Sequence, residues 1–228
     1  MKNPLKIYLG DLTYNTVTLA TEAFPLNIAY IGSYCEKLFG SKVEITLFKY
    51  IEKIEDAVTH NPPDILGLSN YCWSHNVSYE IFKLCKEKNP NAVNVWGGPN
   101  FPLDSPSQIK FMKKYSEVDV YIPTEGEIGF SNVVERILDS GADENSQSII
   151  RKNPFDGCIT RDEKEKLQFT IPTLRMNQLD EIPSPYLNGM LDNFFDGKLT
   201  PMLQTNRGCP FHCTFCTDGR DEVNKINH

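Results

Sequence analysis

A chain of 228 residues, 40% hydrophobic and 23% charged, can bury one good core and part of a second. Its net charge of −7 excludes a generic nucleic-acid surface, since no stripe of clustered Lys and Arg is present and Lys110, Lys113 and Lys114 read as the solvated face of a helix. No apolar run approaches the ~20 residues of a membrane span, Met1-Lys2-Asn3-Pro4 leads into a strand rather than a signal peptide, and seven cysteines without a regular framework suit a reducing compartment, so a cytoplasmic location is expected.

Residues 1–140 read as strands alternating with helices. Lys6-Ile7-Tyr8-Leu9 is a short strand, and a polar loop through Asp11-Leu12-Thr13-Tyr14-Asn15 follows it. Ile28, Ile31, Cys35, Leu38 and Phe39 then recur at helical spacing up to Gly40. Residues 43–48 alternate as a strand; Ile51, Ile54 and Val58 mark a helix stopped by Asn61-Pro62-Pro63; Ile65-Leu66-Gly67-Leu68 is a compact buried strand. A helix through Ile81, Leu84 and Cys85 leads to the strand Val93-Asn94-Val95-Trp96, and one through Ile109, Met112 and Tyr115 leads to a strand over residues 118–122. Phe130, Val133, Val134, Ile137 and Leu138 form one stripe of a last helix. Five strands alternating with helices predict an α/β fold with a doubly wound, parallel, five-stranded sheet covered on both faces.

Such sheets bind ligands outside the carboxyl ends of their strands. The loops expected there are Gly10-Asp11-Leu12-Thr13, Ser69-Asn70-Tyr71-Cys72-Trp73, Gly97-Gly98-Pro99-Asn100-Phe101-Pro102 and Pro123-Thr124-Glu125-Gly126-Glu127. Paired glycines let a backbone approach a flat ligand closely. No Gly-x-Gly-x-x-Gly follows the first strand and no Gly-Lys-Ser/Thr loop exists, which removes the main support for a nucleotide-binding domain.

Residues 141–197 read as a connector. Asp143, Glu144, Asn145, Ser146 and Gln147 are loop-like, and Cys158-Ile159-Thr160 can pair with Leu167-Gln168-Phe169 across a charged turn as a small hairpin, with Cys158 a packed thiol. Leu179-Asp180-Glu181-Ile182-Pro183-Ser184-Pro185-Tyr186 is a proline-stiffened linker, followed by an expected short helix from Leu187 to Phe195. Residues 201–206 are expected to form a strand that delivers the next loop.

That loop, Arg207-Gly208-Cys209-Pro210-Phe211-His212-Cys213-Thr214-Phe215-Cys216, carries three cysteines close enough to reach successive irons of one cluster. Three ligands leave an iron open, as a catalytic metal keeps a position that a structural one does not. A zinc site is the rival reading, but closing it needs Cys209 with His212 under strain, or a distant ligand, His228 being the only later histidine. Cys-x-x-x-Cys-x-x-Cys after Arg-Gly, with an aromatic before the last cysteine, resembles the signature of radical S-adenosylmethionine (SAM) enzymes. The resemblance implies a [4Fe-4S] cluster on Cys209, Cys213 and Cys216, SAM on its open iron with Phe215 beside the adenine, and reductive cleavage to a 5′-deoxyadenosyl radical.

A doubly wound domain with Ser69, Gly97-Gly98-Pro99 and Glu125-Gly126-Glu127 after successive strands, placed before such a motif, is similar to the cobalamin-binding domains of cobalamin-dependent radical enzymes. The resemblance implies that Ser69, Tyr71, Gly97, Gly98, Pro99, Glu125 and Gly126 surround the corrin and its nucleotide tail. Residues 11–16, ending at Thr16, hold no histidine where many cobalamin domains place a cobalt ligand, so the lower cobalt face is expected to carry water or nothing. His75, near a helix start, is expected to be a capping or surface residue, and His60 to be solvated.

The implied organisation is a cobalamin-binding domain over residues 1–140, a linker with a small hairpin over 141–197, and the first strand and cluster loop of a truncated radical SAM α/β barrel over 198–228. Twelve residues after Cys216 are too few for the rest of a barrel, so the chain is expected to be the amino-terminal portion of a longer enzyme and not to turn over alone. Met202, Leu203 and Phe215 are then expected to be exposed, with aggregation or a disordered end. The implied function is methyl transfer to an unactivated carbon or phosphorus of a small-molecule substrate, with an external electron donor such as flavodoxin or ferredoxin and no nucleic-acid or membrane partner. Nothing in these residues separates methylation from ring-forming or rearranging chemistry. A non-catalytic cobalamin module, and a radical enzyme whose first domain serves protein contacts, remain open. Methylthio-transferring relatives fit less well, since Cys35, Cys72 and Cys85 do not suit a second cluster.

Overall fold

The computed structural model describes residues 3–15, 22–123, 125–140, 145–169, 176 and 178–216. Thr16, Thr124, Asp143, Glu144 and His228, named above, lie outside them. Strands β1 (Leu5–Thr13), β2 (Val43–Tyr50), β3 (Ile65–Ser69), β4 (Val93–Gly97) and β5 (Val120–Ile122) alternate with helices α1 (Leu26–Phe39), α2 (Ile51–His60), α3 (His75–Lys88), α4 (Ser105–Lys114) and α5 (Gly126–Asp139). Helix α6 (Ser146–Lys152) and the hairpin β6 (Ile159–Arg161) and β7 (Leu167–Phe169) follow.

The first five strands are parallel in the order β2-β1-β3-β4-β5, as the doubly wound reading requires. The sheet itself has seven strands rather than five. The expected hairpin forms, but it docks antiparallel on β5, Val120 opposite Thr160, and so covers an edge that would otherwise present unpaired backbone groups.

Period-two alternation splits the strand side chains between two cores. Ile7, Leu9 and Val95 face Ile28 and Cys35 of α1 and Phe130, Val133 and Val134 of α5. Tyr8, Leu66 and Trp96 face Ile54 of α2, Phe82 of α3 and Met112 of α4. The structure is therefore a three-layer α/β/α sandwich. At its centre Gly67 leaves the room that the Phe130 ring fills; a Cβ there would stand 2.8 Å from Phe130 Cε2. None of the helices among the described residues is long and apolar enough to cross a membrane.

Three local expectations are corrected. Gly10-Asp11-Leu12-Thr13 is no loop: β1 runs on through it, with Thr13 paired to Tyr50 across an irregularity in the ladder. The polar look of Asp11 misled, because Lys49 of β2 neutralises it inside the fold at 2.9 Å. The expected helix over 187–195 reduces to one 3₁₀ turn, Asp192–Phe194, after Gly189 turns the chain at φ +80°. Residues 201–206 form no strand and lie between two single-residue bridges, one of Thr200 to Ala23 and one at Arg207.

The segment after the hairpin packs along α1 instead of spanning open space. Leu191, Phe194 and Leu199 close a third core with Phe24, Leu26 and Ala29. Gly32 lets Met190 lie against the helix, where a Cβ would meet its sulfur at 2.7 Å. Asn188 Nδ2 donates to Ser33 Oγ at 3.1 Å, and Lys37 Nζ donates to the Glu181 carbonyl at 2.6 Å.

Candidate functional site

The chain passes from β1 to β2 on one side and to β3 on the other, so the strand order reverses at the carboxyl ends of β1 and β3. Ser69 ends β3 there, and its hydroxyl accepts from Asn27 Nδ2 of α1 at 2.9 Å. Tyr71 stacks on Trp73 with ring centroids 4.6 Å apart and planes 5° from parallel, leaving Trp73 exposed. Burial, then the Asp11 charge, push the Tyr71 phenol above its ordinary pKa. Pro99 is exposed in the loop after β4. This edge offers flat apolar surface beside polar groups at the switch point, which fits a large planar ligand with a polar tail.

The strand-end loops are tied together by residues that sequence reasoning passed over. Buried Asn70 donates to the Asn100 carbonyl at 2.8 Å and to Tyr121 Oη at 3.0 Å, while Tyr121 Oη donates to the Gly98 carbonyl at 2.8 Å. The loops after β3 and β4 are stapled to each other and to β5 by one amide and one phenol. Gly98 is forced by this knot: its φ is +125° and a Cβ would stand 2.9 Å from the Asn70 carbonyl oxygen. Gly97 is under no such constraint, a Cβ meeting Ile122 O at 3.5 Å. At Gly126 a Cβ would meet Cδ1 of Ile31 of α1 at 2.4 Å, the end of a side chain and not backbone.

His75 is neither a cap nor a surface residue, whereas His60 is solvent-exposed as expected. The His75 ring stacks on Trp96 at 4.6 Å, meets Tyr115 edge-on at 4.8 Å, and places Nδ1 2.8 Å from Asn70 Oδ1. Desolvation, with the Lys114 charge second, holds its pKa below the ordinary 6.5. The unfolded chain then takes the proton first, so the stability contribution is complete above about pH 6.5 and is lost as pH falls through that value toward the folded pKa. His75→Phe, which keeps the stack, should flatten the fall of the urea midpoint between about pH 7 and 5. An unchanged slope would assign that fall to other groups.

Of the seven cysteines, Cys35, Cys85 and Cys158 are buried. Burial pushes the Cys85 thiol up to about 12 and raises Cys35 and Cys158 as well, so none of the three offers a thiolate at neutral pH. Cys158 is a packed thiol, donating to the Gly129 carbonyl at 3.3 Å. Cys209 is half-buried; Cys213 and Cys216 are exposed on the expected loop, and Phe215 is 92% exposed. Met202 and Leu203 are exposed too. Among the described residues no three His, Cys, Asp or Glu side chains converge closely enough to hold a metal ion. The donor chemistry suits an iron–sulfur cluster, with accessible thiols on one loop, while the thiols are not gathered.

The loop is nevertheless tied to the sheet's carboxyl edge. Arg207 donates from Nη1 and Nη2 to Glu127 at 3.0 and 2.6 Å, and Glu125 lies 3.6 Å from Nη1. Burial opposes the Arg207 charge, but the Glu127 hydrogen bonds and the two carboxylates outweigh it and raise the pKa. Glu125 also accepts from the Met176 backbone at 2.8 Å, so its carboxylate engages the connector and this arginine.

Residues 13–134, more than half of the chain, match the B12-binding domain family. The chain belongs to that family. This B12-binding chain is 30% identical over 86% of its length to the cobalamin-dependent radical SAM methyltransferase TokK of Streptomyces tokunonensis, and covers 28% of it. It is 31% identical over 69% of its length to 2-(S-pantetheinyl)-carbapenam-3-carboxylate methyltransferase of Streptantibioticus cattleyicolor, covering 22% of that protein. Among solved structures, the cobalamin-dependent SAM radical enzyme OxsB, with aqua-cobalamin and SAM bound, superposes on 98% of the chain with a TM-score of 0.68 at 19% identity, the chain covering 30% of it. The B12-binding chain thus spans less than a third of each of these proteins, and OxsB speaks to its fold.

Proposed function

We propose that this B12-binding chain supplies the cobalamin site and the cluster-ligating loop of a cobalamin-dependent radical SAM methyltransferase. The observation that carries the reading is Arg207, two residues ahead of Cys209, anchored to the first turn of α5 at the carboxyl end of β5. The cysteine loop therefore starts beside the edge that a doubly wound sheet offers to a ligand. In this reading Ser69, Tyr71, Gly97, Gly98, Pro99, Glu125 and Gly126 surround the corrin and its tail, Cys209, Cys213 and Cys216 hold a [4Fe-4S] cluster, and Phe215 flanks the adenine of SAM. When bound, cluster and SAM supply hydrogen-atom abstraction and cobalamin supplies the methyl group. The chain's own part is placement: the Asn70–Tyr121 knot fixes the strand-end loops, and Arg207 fixes the start of the cysteine loop. A small-molecule substrate would sit between the two cofactors. An external flavodoxin- or ferredoxin-type donor would reduce the cluster, in a cytoplasmic setting.

A cobalamin module without catalysis is the second reading, favoured by the family match, which spans residues 13–134 and stops well before the cysteine loop. Anaerobic reconstitution with iron, sulfide and hydroxocobalamin, then desalting, should leave about one cobalt and about four irons per chain. Cys213→Ala should lose most of the iron and keep the cobalt. Iron without cobalt would remove the cobalamin site, and cobalt without iron would leave the module alone.

A further inference from the structure

Arg207 is the last residue before the cysteines whose side chain is largely covered: it is 10% exposed and that of Glu127 is 3% exposed, while residues 210–216 are all exposed. Every nitrogen of its guanidinium is committed. Nε donates to Gln204 Oε1 at 3.1 Å, Nη1 and Nη2 grip the two oxygens of Glu127, and the group lies 5.6 Å from the centre of the Tyr30 ring. Glu127 stands in the first turn of α5, where a carboxylate also meets the positive end of the helix dipole. Tyr186 Oη, donating to the Met202 carbonyl at 2.6 Å, holds the chain just upstream. All of these contacts are made between protein groups.

We propose that Arg207 is a positioning residue: its fork on Glu127 sets where the three-cysteine loop stands over the carboxyl edge of the B12-binding sheet before any cluster is assembled. The inference rests on the proposed reading for its purpose and on the ion pair alone for its geometry. Only Gly208 separates Arg207 from Cys209, two peptide steps and a reach of about 7 Å, so Cys209 is confined. Cys213 and Cys216 lie farther along and remain able to close around iron. A planar, bidentate guanidinium does this better than an ammonium, which lacks the fork.

The test uses the whole chain without either cofactor. With Cys213 and Cys216 changed to Ser, nitroxides are placed on Cys209 and on exposed Cys72 of the β3–α3 loop; the buried Cys35, Cys85 and Cys158 stay unlabelled. Pulsed electron–electron resonance should give one narrow distance peak. Arg207→Met should lose it, and Arg207→Met/Glu127→Gln, which removes the Glu127 charge and leaves Glu125 its bond from the Met176 backbone, should lose it with the melting curve retained. Arg207→Lys should restore it only in part. A peak equally narrow in both Met variants, or absent in the parent, would overturn the proposal. Because no cobalamin or iron is in the sample, a failed latch and a failed cofactor assignment are read separately, the latter by metal content after reconstitution.

Discussion

Gly98→Ala should lower the melting temperature by roughly 5–15 °C, given that each kcal/mol shifts a domain of this size by about 2–4 °C. Two costs combine. The residue holds φ +125°, a conformation that costs an L side chain about 1–3 kcal/mol. Its Cβ would also stand 2.9 Å from the carbonyl oxygen and 3.2 Å from the nitrogen of Asn70, backbone atoms that cannot swing aside, and overpacking of this kind costs about 1–3 kcal/mol. Relief would require the β4 loop to retreat, which pulls the Gly98 carbonyl from Tyr121 and loosens Asn70 from Asn100. Cobalt retention after reconstitution should fall with it. Gly97→Ala is the control: it meets only an ordinary contact and should change stability by less than about 1 kcal/mol. Calorimetry showing equal melting for the two variants would mean that the knot does not constrain the loop.

Lys49→Met should cost about 3–5 kcal/mol, because it strands Asp11 as a charge without its partner inside the fold. The Lys49 side chain is 2% exposed and that of Asp11 12%, and they meet at 2.9 Å where β1 and β2 approach their carboxyl ends. Two buried charges gain from each other only what they lose to desolvation, so the pair as a whole contributes little net stability. Lys49→Met/Asp11→Leu should therefore recover most of the loss. Urea midpoints of the two single variants and the double would give the coupling, and a double variant as unstable as Lys49→Met would show that the cost lay in packing and not in the stranded charge.

The alternation that placed α1 through α5 and the parallel strands is a local property. Ile54 and Val58 at helical spacing, or Ile65 to Leu68 as one apolar run, declare their elements without help from distant residues. The three-cysteine loop was legible for the same reason, its spacing being contained in eight residues. Where reading failed, a distant partner had changed the meaning of a residue. Asp11 looked like loop until Lys49 was seen beside it, and His75 looked like a cap although Trp96 supplies the surface it stacks on. That Gly98 must also clear the backbone of Asn70 was not legible, because Asn70 lies on another loop. The Leu187–Phe195 helix was broken by Gly189, and the strand over 201–206 gives way to single bridges at Thr200 and Arg207.

By itself the sequence determined the layers, the doubly wound order of elements and the placing of three cysteines within eight residues, because periodicity and spacing act over one or two turns of chain. Only the tertiary structure decided that the hairpin would complete the sheet beside β5, that the connector would lie along α1, and that Arg207 would reach Glu127 across 80 residues. Those three depend on which unsatisfied edge, apolar face or buried charge lies nearest once the chain is compact, and no local pattern encodes that neighbour.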